Sequence, residues 1–194
     1  MKSILFSSIL AIAVIAAFGQ NNTPNCLSKA AVELTQQRVT YNPGYYRIKY
    51  PNGDIPSDKG VCTDVIVRAY RKCGIDLQKE VHEDMLQNFS LYPKHWGLRK
   101  PDSNIDHRRV PNLMVFFTRH GKTKPTSQKP SDYLPGDIIC WDLGGGVTHI
   151  GIVIANKSSD GKRNLIVHNI GAGQVIEDCL FSFKIIGHYS YSKN

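Results

Sequence analysis

Near Gly136 the chain changes its period, and that change decides which folds are open to it. Up to Gly121 the apolar residues recur at helical spacing. Leu27, Ala30, Ala31 and Leu34 predict a helix over Cys26 to Val39. Val61, Val65, Ile66 and Ala69 predict a second, with Arg68, Arg71 and Lys72 opposite and Gly74 as its stop. "LQKEVHEDMLQNFSLYP" predicts a third ending before Pro93, and "VPNLMVFFTRHG" a fourth that opens at Pro111 and closes at Gly121. Beyond Gly136 the segments "DIICWDL", "HIGIVIA", "NLIVHNI" and "GHYSYS" are short, rich in β-branched and aromatic residues, and divided by glycine and polar turns, as consecutive strands are. Helices followed by strands predict an α+β fold with an antiparallel sheet.

The first residues have the form of a leader for export: Lys2, an apolar run from Ile9 to Phe18, and small residues at Ala17 and Gly19. The expected division is therefore a signal peptide over 1–19 and one domain over 20–194, exported to the periplasm or the medium of a bacterium. The apolar run is shorter than the roughly 20 residues of a membrane span, so no span is expected after cleavage. The formal charge of +8 is scattered singly and in pairs, with no dense basic run and no interleaved aromatics. That argues against nucleic acid and for an anionic surface such as a cell wall.

In an oxidising compartment the five cysteines, at 26, 62, 73, 140 and 179, leave at least one unpaired. Cys62 and Cys73 lie eleven residues apart on one predicted helix. That is roughly 16 Å of rise, too far for a disulfide. The pairing of the others stays open. There is no C-x-x-C pair, and His82-Glu83 lacks the second histidine of an H-E-x-x-H site, so neither a metal nor another cofactor is expected.

Cys62 is the candidate nucleophile. It stands at the start of its helix, where unpaired backbone N–H groups favour a thiolate. A cysteine hydrolase also needs an imidazole to take the thiol proton and a group to orient that imidazole. His149 opens "HIGIVIA" directly after a triple glycine, a run that lets backbone approach closely and line a cleft. His168 closes the next strand. Neighbouring strand residues point to opposite faces, so His168 and Asn169 cannot both reach the site, and His168 is preferred. Asp64 is expected to accept backbone N–H bonds in the first turn of the helix. His107, Arg108 and Arg109 form a cationic cluster suited to a carboxylate. Trp96 and Trp141 read as core or as cleft walls.

Two resemblances sharpen these expectations. "GVCTDVIVRAYRKCGI" resembles the helix-start cysteine motif of the NlpC-type cell-wall peptidases, and "LPGDIICWDLGGGVTHIGIVIAN" with "LIVHNIG" resembles their later Pro-Gly-Asp, His-x-Gly-Ile and strand-histidine pattern. This implies a papain-like fold, Cys62 as nucleophile, His149 as base, and His168, or alternatively Asn169, as the orienting group. It also implies a tyrosine near the thiolate, for which Tyr50 is the candidate. The implied substrate is an amide in peptidoglycan stem peptides; an acyltransferase on the same fold and a non-catalytic wall-binding module are the alternatives. Over almost the whole mature chain, "YPNGDIP", "DLQKEVHEDM", "PDSNIDHRRVPNL" and "IVHNIGAG" resemble the YijF-like family, a domain of unknown function (DUF1287).

Overall fold

The structure, a computed structural model, describes residues 23–193; the expected leader over 1–19 lies outside them. In chain order come α1 (Thr23–Leu34), β1 (Thr40–Tyr41), β2 (Lys59–Gly60), α2 (Cys62–Lys72), α3 (Leu77–Asn88) and α4 (Val110–His120). β3 (Lys122–Thr123), β4 (Ile138–Asp142), β5 (Thr148–Lys157), β6 (Asn164–His168), β7 (Val175–Glu177) and β8 (Lys184–Ser190) then build one sheet. Its order is β3-β8-β4-β5-β6-β7 and every pairing is antiparallel; β1 and β2 form a separate parallel pair. The mixed helix-and-sheet architecture is the one the change of period predicts.

The sheet separates two apolar layers, and the alternation of β4 to β6 assigns each residue to one of them. Ile138, Cys140, Ile150, Ile152, Ile154 and Val167 face the helices and pack with Leu27, Val65, Ile66 and Phe117. Ile139, Trp141, Val153 and Ile166 face the other way, onto Tyr133, Cys179 and Leu180. α2 is central to the first layer: Val65, Ile66, Ala69 and Tyr70 are fully buried, and each large apolar side chain contributes about 1.5–3 kcal/mol by leaving water.

Element ends differ from the predicted ones where local bonds win over apolar period. α1 stops at Leu34 because three successive N–H groups, from Thr35 to Gln37, turn to carbonyls three residues back. Val39 is buried all the same, from an extended segment. α3 stops at Asn88, whose amide bonds the Asp84 carbonyl and carboxylate, and a 3₁₀ turn over Phe89–Leu91 follows. β3 and β7 are too short to show a period. A disulfide joins Cys26 on α1 to Cys73 at the end of α2, leaving Cys62, Cys140 and Cys179 as thiols.

Candidate active site

Cys62 is the first residue of α2, and its surroundings are built by the residues just before and after it. Val61 is extended (φ −125°, ψ −174°), and its N–H donates to Oδ2 of Asp64 at 2.7 Å, so Asp64 holds the helix start as expected. Beyond that expectation, Asp64 also receives Arg108, whose Nε lies 2.8 Å from Oδ1 and Nη2 3.1 Å from Oδ2. The same guanidinium donates to the Gly44 carbonyl, tying the tyrosine loop over the helix start. Between loop and helix lies a cleft of about 400 Å³, lined by Tyr41, Tyr45, Cys62, Trp96, Arg109 and Thr148 among others.

The helix-start position does not make Cys62 a thiolate at rest. Burial pushes the thiol up to about 12 and the nearby Asp64 carboxylate adds to it, against the N–H groups of Ile150, Thr63 and Cys62, which favour the charged form. A lowered pKa was the expectation; desolvation outweighs the helix terminus here.

His149 and His168 meet directly, Nε2 to Nδ1, at 2.8 Å, and both are buried. His168 continues through Nε2 to Oε2 of Glu177, also at 2.8 Å, with Sγ of Cys179 3.6 Å from the same nitrogen. The direction of this chain follows from its exposed end. A carboxylate only accepts, so Nε2 of His168 carries a proton, its Nδ1 is a lone pair, and Nε2–H of His149 donates to it. Nδ1 of His149 is then left with a free lone pair. Burial, and secondarily the charge His168 would carry, lower His149 to about 3, so the ring is neutral near pH 7.

The ring of His149 stacks on Trp141 at 5.7 Å and 28°, on the sheet face turned away from the helices. Gly151 makes room for this: a Cβ there would come 2.7 Å from Ile166 Cγ2 and 3.2 Å from Trp141 Cη2. Cys62 belongs to the helix-side layer together with Ile150. The thiol and imidazole expected side by side therefore approach the start of β5 from its two faces, with the peptide between His149 and Ile150 turned to the sulfur. The triple glycine is a turn: Gly144, Gly145 and Gly146 all have positive φ, and a Cβ on any of them would meet nothing within 4 Å, so close backbone approach is not its role.

The remaining candidates divide. Asn169 donates to the Gly60 carbonyl at 3.2 Å and holds β2, which leaves His168 as the partner of His149. Tyr50 packs edge-on against His82 at 5.3 Å rather than lining the cleft; Tyr41 lines it instead, together with Cys62. Sequence pattern could not choose between them, because these tyrosines share one irregular loop. His107 is buried in the interior with Nδ1 unpartnered, and burial, then the charge of Arg108, lower it to about 3. Arg108 and Arg109 both line the cleft, but Arg108 is committed to Asp64, whereas the guanidinium of Arg109 lies 4.2 Å above the half-exposed ring of Trp96. Trp141 is core, its indole N–H donating to the Leu180 carbonyl at 3.0 Å. Glu177 ends a three-residue strand, too short a pattern to mark its facing residues, and Cys179 follows in an irregular segment two residues beyond it.

Comparison with known proteins gives one family. The model described as "Domain of unknown function (DUF1287)" matches residues 28–191. "Uncharacterized protein YijF" of Escherichia coli (strain K12) is 51% identical over 172 residues, which cover 89% of this chain and 83% of that protein.

Proposed function

The chain belongs to the DUF1287 family, and from its site we propose that it is an exported, papain-like cysteine hydrolase acting on an amide bond, with peptidoglycan stem peptides as the substrate class. One observation carries this reading: a hydrogen-bonded chain from Glu177 through His168 leaves the lone pair of His149 Nδ1 free, across the sheet from the Ile150 N–H that meets Cys62 Sγ. The proposed reaction requires the start of β5 to turn so that Nδ1 comes round to Sγ; Nδ1 then takes the proton from Sγ as the sulfur attacks the amide carbon. The N–H of Cys62 supports the oxyanion, and the proton passes from Nδ1 to the departing amine. Water then gives a proton to the same nitrogen and attacks the acyl carbon, the carbon–sulfur bond breaks, and that proton returns to Sγ, restoring the thiol. With a thiol near 12 and an imidazole near 3, the resting pair is neutral on both sides. Thiolate forms only as bond formation at carbon drives the transfer.

Arg109 over Trp96 offers the cleft a planar cation for a substrate carboxylate, a group that stem peptides carry. The Cys26–Cys73 disulfide and the overall charge of +8 fit an oxidising compartment with an anionic wall. The buried, raised thiol favours a second reading, a wall-binding module that keeps the cleft for recognition alone. Incubation with muropeptides, read by mass spectrometry, separates the two. Cleaved peptides with wild type and none with Cys62→Ala are expected, with both proteins melting alike. Products enlarged by an acceptor would make the protein a transferase, and binding without turnover would make it a module.

A further inference from the structure

His168, Glu177 and Cys179 form a second cluster, on the sheet face away from the cleft. Their donor atoms, an imidazole nitrogen, a carboxylate oxygen and a thiol sulfur, lie within 4.8 Å of one another. Register explains the convergence. Ile166 pairs with Glu177 and His168 with Val175, so His168 and Glu177 project on the same face from adjacent strands, and Cys179 turns in below them just after β7. We propose that these three residues bind one divalent cation of the zinc class, and that its binding switches off His149 as a base.

The spacing suits such an ion. Tetrahedral zinc with a nitrogen at ~2.0 Å and a sulfur at ~2.3 Å holds those two atoms ~3.5 Å apart. His168 Nε2 and Cys179 Sγ are 3.6 Å apart. Glu177 now sits closer to the nitrogen, at 2.8 Å, because it accepts a hydrogen bond; its side chain is 48% exposed and is free to swing back to ligand distance. The donor set of one sulfur, one nitrogen and one carboxylate oxygen matches zinc rather than magnesium or calcium, which take oxygen alone. Three protein ligands leave a fourth position for water or a substrate group.

The consequence for His149 follows from proton placement. A metal on Nε2 of His168 takes the lone pair there, so the ring's remaining proton must sit on Nδ1, which donates to His149 Nε2. His149 then carries its own proton on Nδ1, where the base needs a lone pair. Neither histidine changes charge. The proton released on binding is the one that leaves Cys179 Sγ as the metal–sulfur bond forms. This second step rests on the proposed hydrolase reading, whereas binding itself does not.

Cobalt(II) is the probe, because cobalt–thiolate bonds absorb in the near ultraviolet and tetrahedral cobalt absorbs in the visible. Titrating the full chain is expected to give a band that saturates at one equivalent and is displaced by zinc. The band should be lost in Cys179→Ser and retained in Cys62→Ala, with binding weakened by at least about tenfold in Glu177→Gln, the effect of losing even an outer-shell carboxylate. An absent band, or one lost in Cys62→Ala and kept in Cys179→Ser, overturns the site. For the switch, nitrogen NMR of the histidine rings should show the proton of His149 moving from Nε2 to Nδ1 as zinc is added, and an unmoved proton overturns it. Where the wild type cleaves muropeptides, zinc should suppress cleavage there and not in Cys179→Ser. Equal suppression in both also overturns the switch, whereas a wild type without activity counts against the hydrolase reading and leaves the cobalt and NMR results to judge the metal.

Discussion

Two buried polar clusters flank the start of β5, and they are finished to different degrees. On the helix side, Asp64 and Arg108 are both buried, and the pair closes on itself: the carboxylate takes two guanidinium contacts and a backbone N–H, and the guanidinium also holds the Gly44 carbonyl. On the other side, His149, His168 and Glu177 form a line, fixed at the exposed carboxylate and open at its inner end. A closed pair can only position; an open line can move a proton. The difference separates the residues that shape the cleft from those suited to chemistry, although all of them but Glu177 are buried.

The largest effect should come from opening the closed pair. Asp64→Ala strands a buried guanidinium and removes the bond that starts α2, so denaturant titration should show a loss of about 3–5 kcal/mol. A loss no greater than a surface substitution would mean that Arg108 finds water or another acceptor, and the contrast between the clusters would fail. Next in size is the covalent link behind the helix. The Cys26–Cys73 disulfide spans 47 residues, so reducing it, or replacing both cysteines by serine, should lower stability by about 2–4 kcal/mol. Wild type and the double variant should then unfold alike under reducing conditions.

Acid tests each side through one histidine. His149 in the line and His107 beside Arg108 are both lowered to about 3 by burial. In the unfolded chain their pKa returns to about 6.5. Below that value the unfolded state binds protons that the folded state refuses, so stability is full above about pH 6.5 and falls toward pH 3, by up to about 1.4 kcal/mol per pH unit for each ring. Urea midpoints taken down this range should drop; a flat profile would mean that both rings accept protons in place. The smallest effect should come from the exposed end of the line. Glu177→Gln keeps a hydrogen-bonding side chain but loses the charge that orients His168, so in the proposed hydrolase reaction kcat should fall about tenfold, with little change in stability. A larger fall would give Glu177 a direct part in the chemistry, and no fall would detach it from the line.

Much of this was legible in the chain because local rules wrote it. Apolar period marked all four helices and the longer strands, and Gly74 and Pro111 marked helix ends. Alternation in "LIVHNI" sent His168 and Asn169 to opposite faces, where the structure has them. The same alternation in β5 puts His149 on the face opposite Ile150, but face alone says nothing of what lies across the sheet.

The sequence by itself determined the order of helices and strands, the helix-start place of Cys62 and the impossibility of a Cys62–Cys73 bridge, because these depend on spacing along one element. Tertiary structure alone decided that Cys73 pairs with Cys26, that Arg108 belongs to Asp64, that Tyr41 rather than Tyr50 reaches the cleft, and that Glu177 and Cys179 converge on His168. It also decided the state of the thiol. Helix-end polarity is a local property, but burial is set by everything packed around a group, and at Cys62 the second outweighs the first.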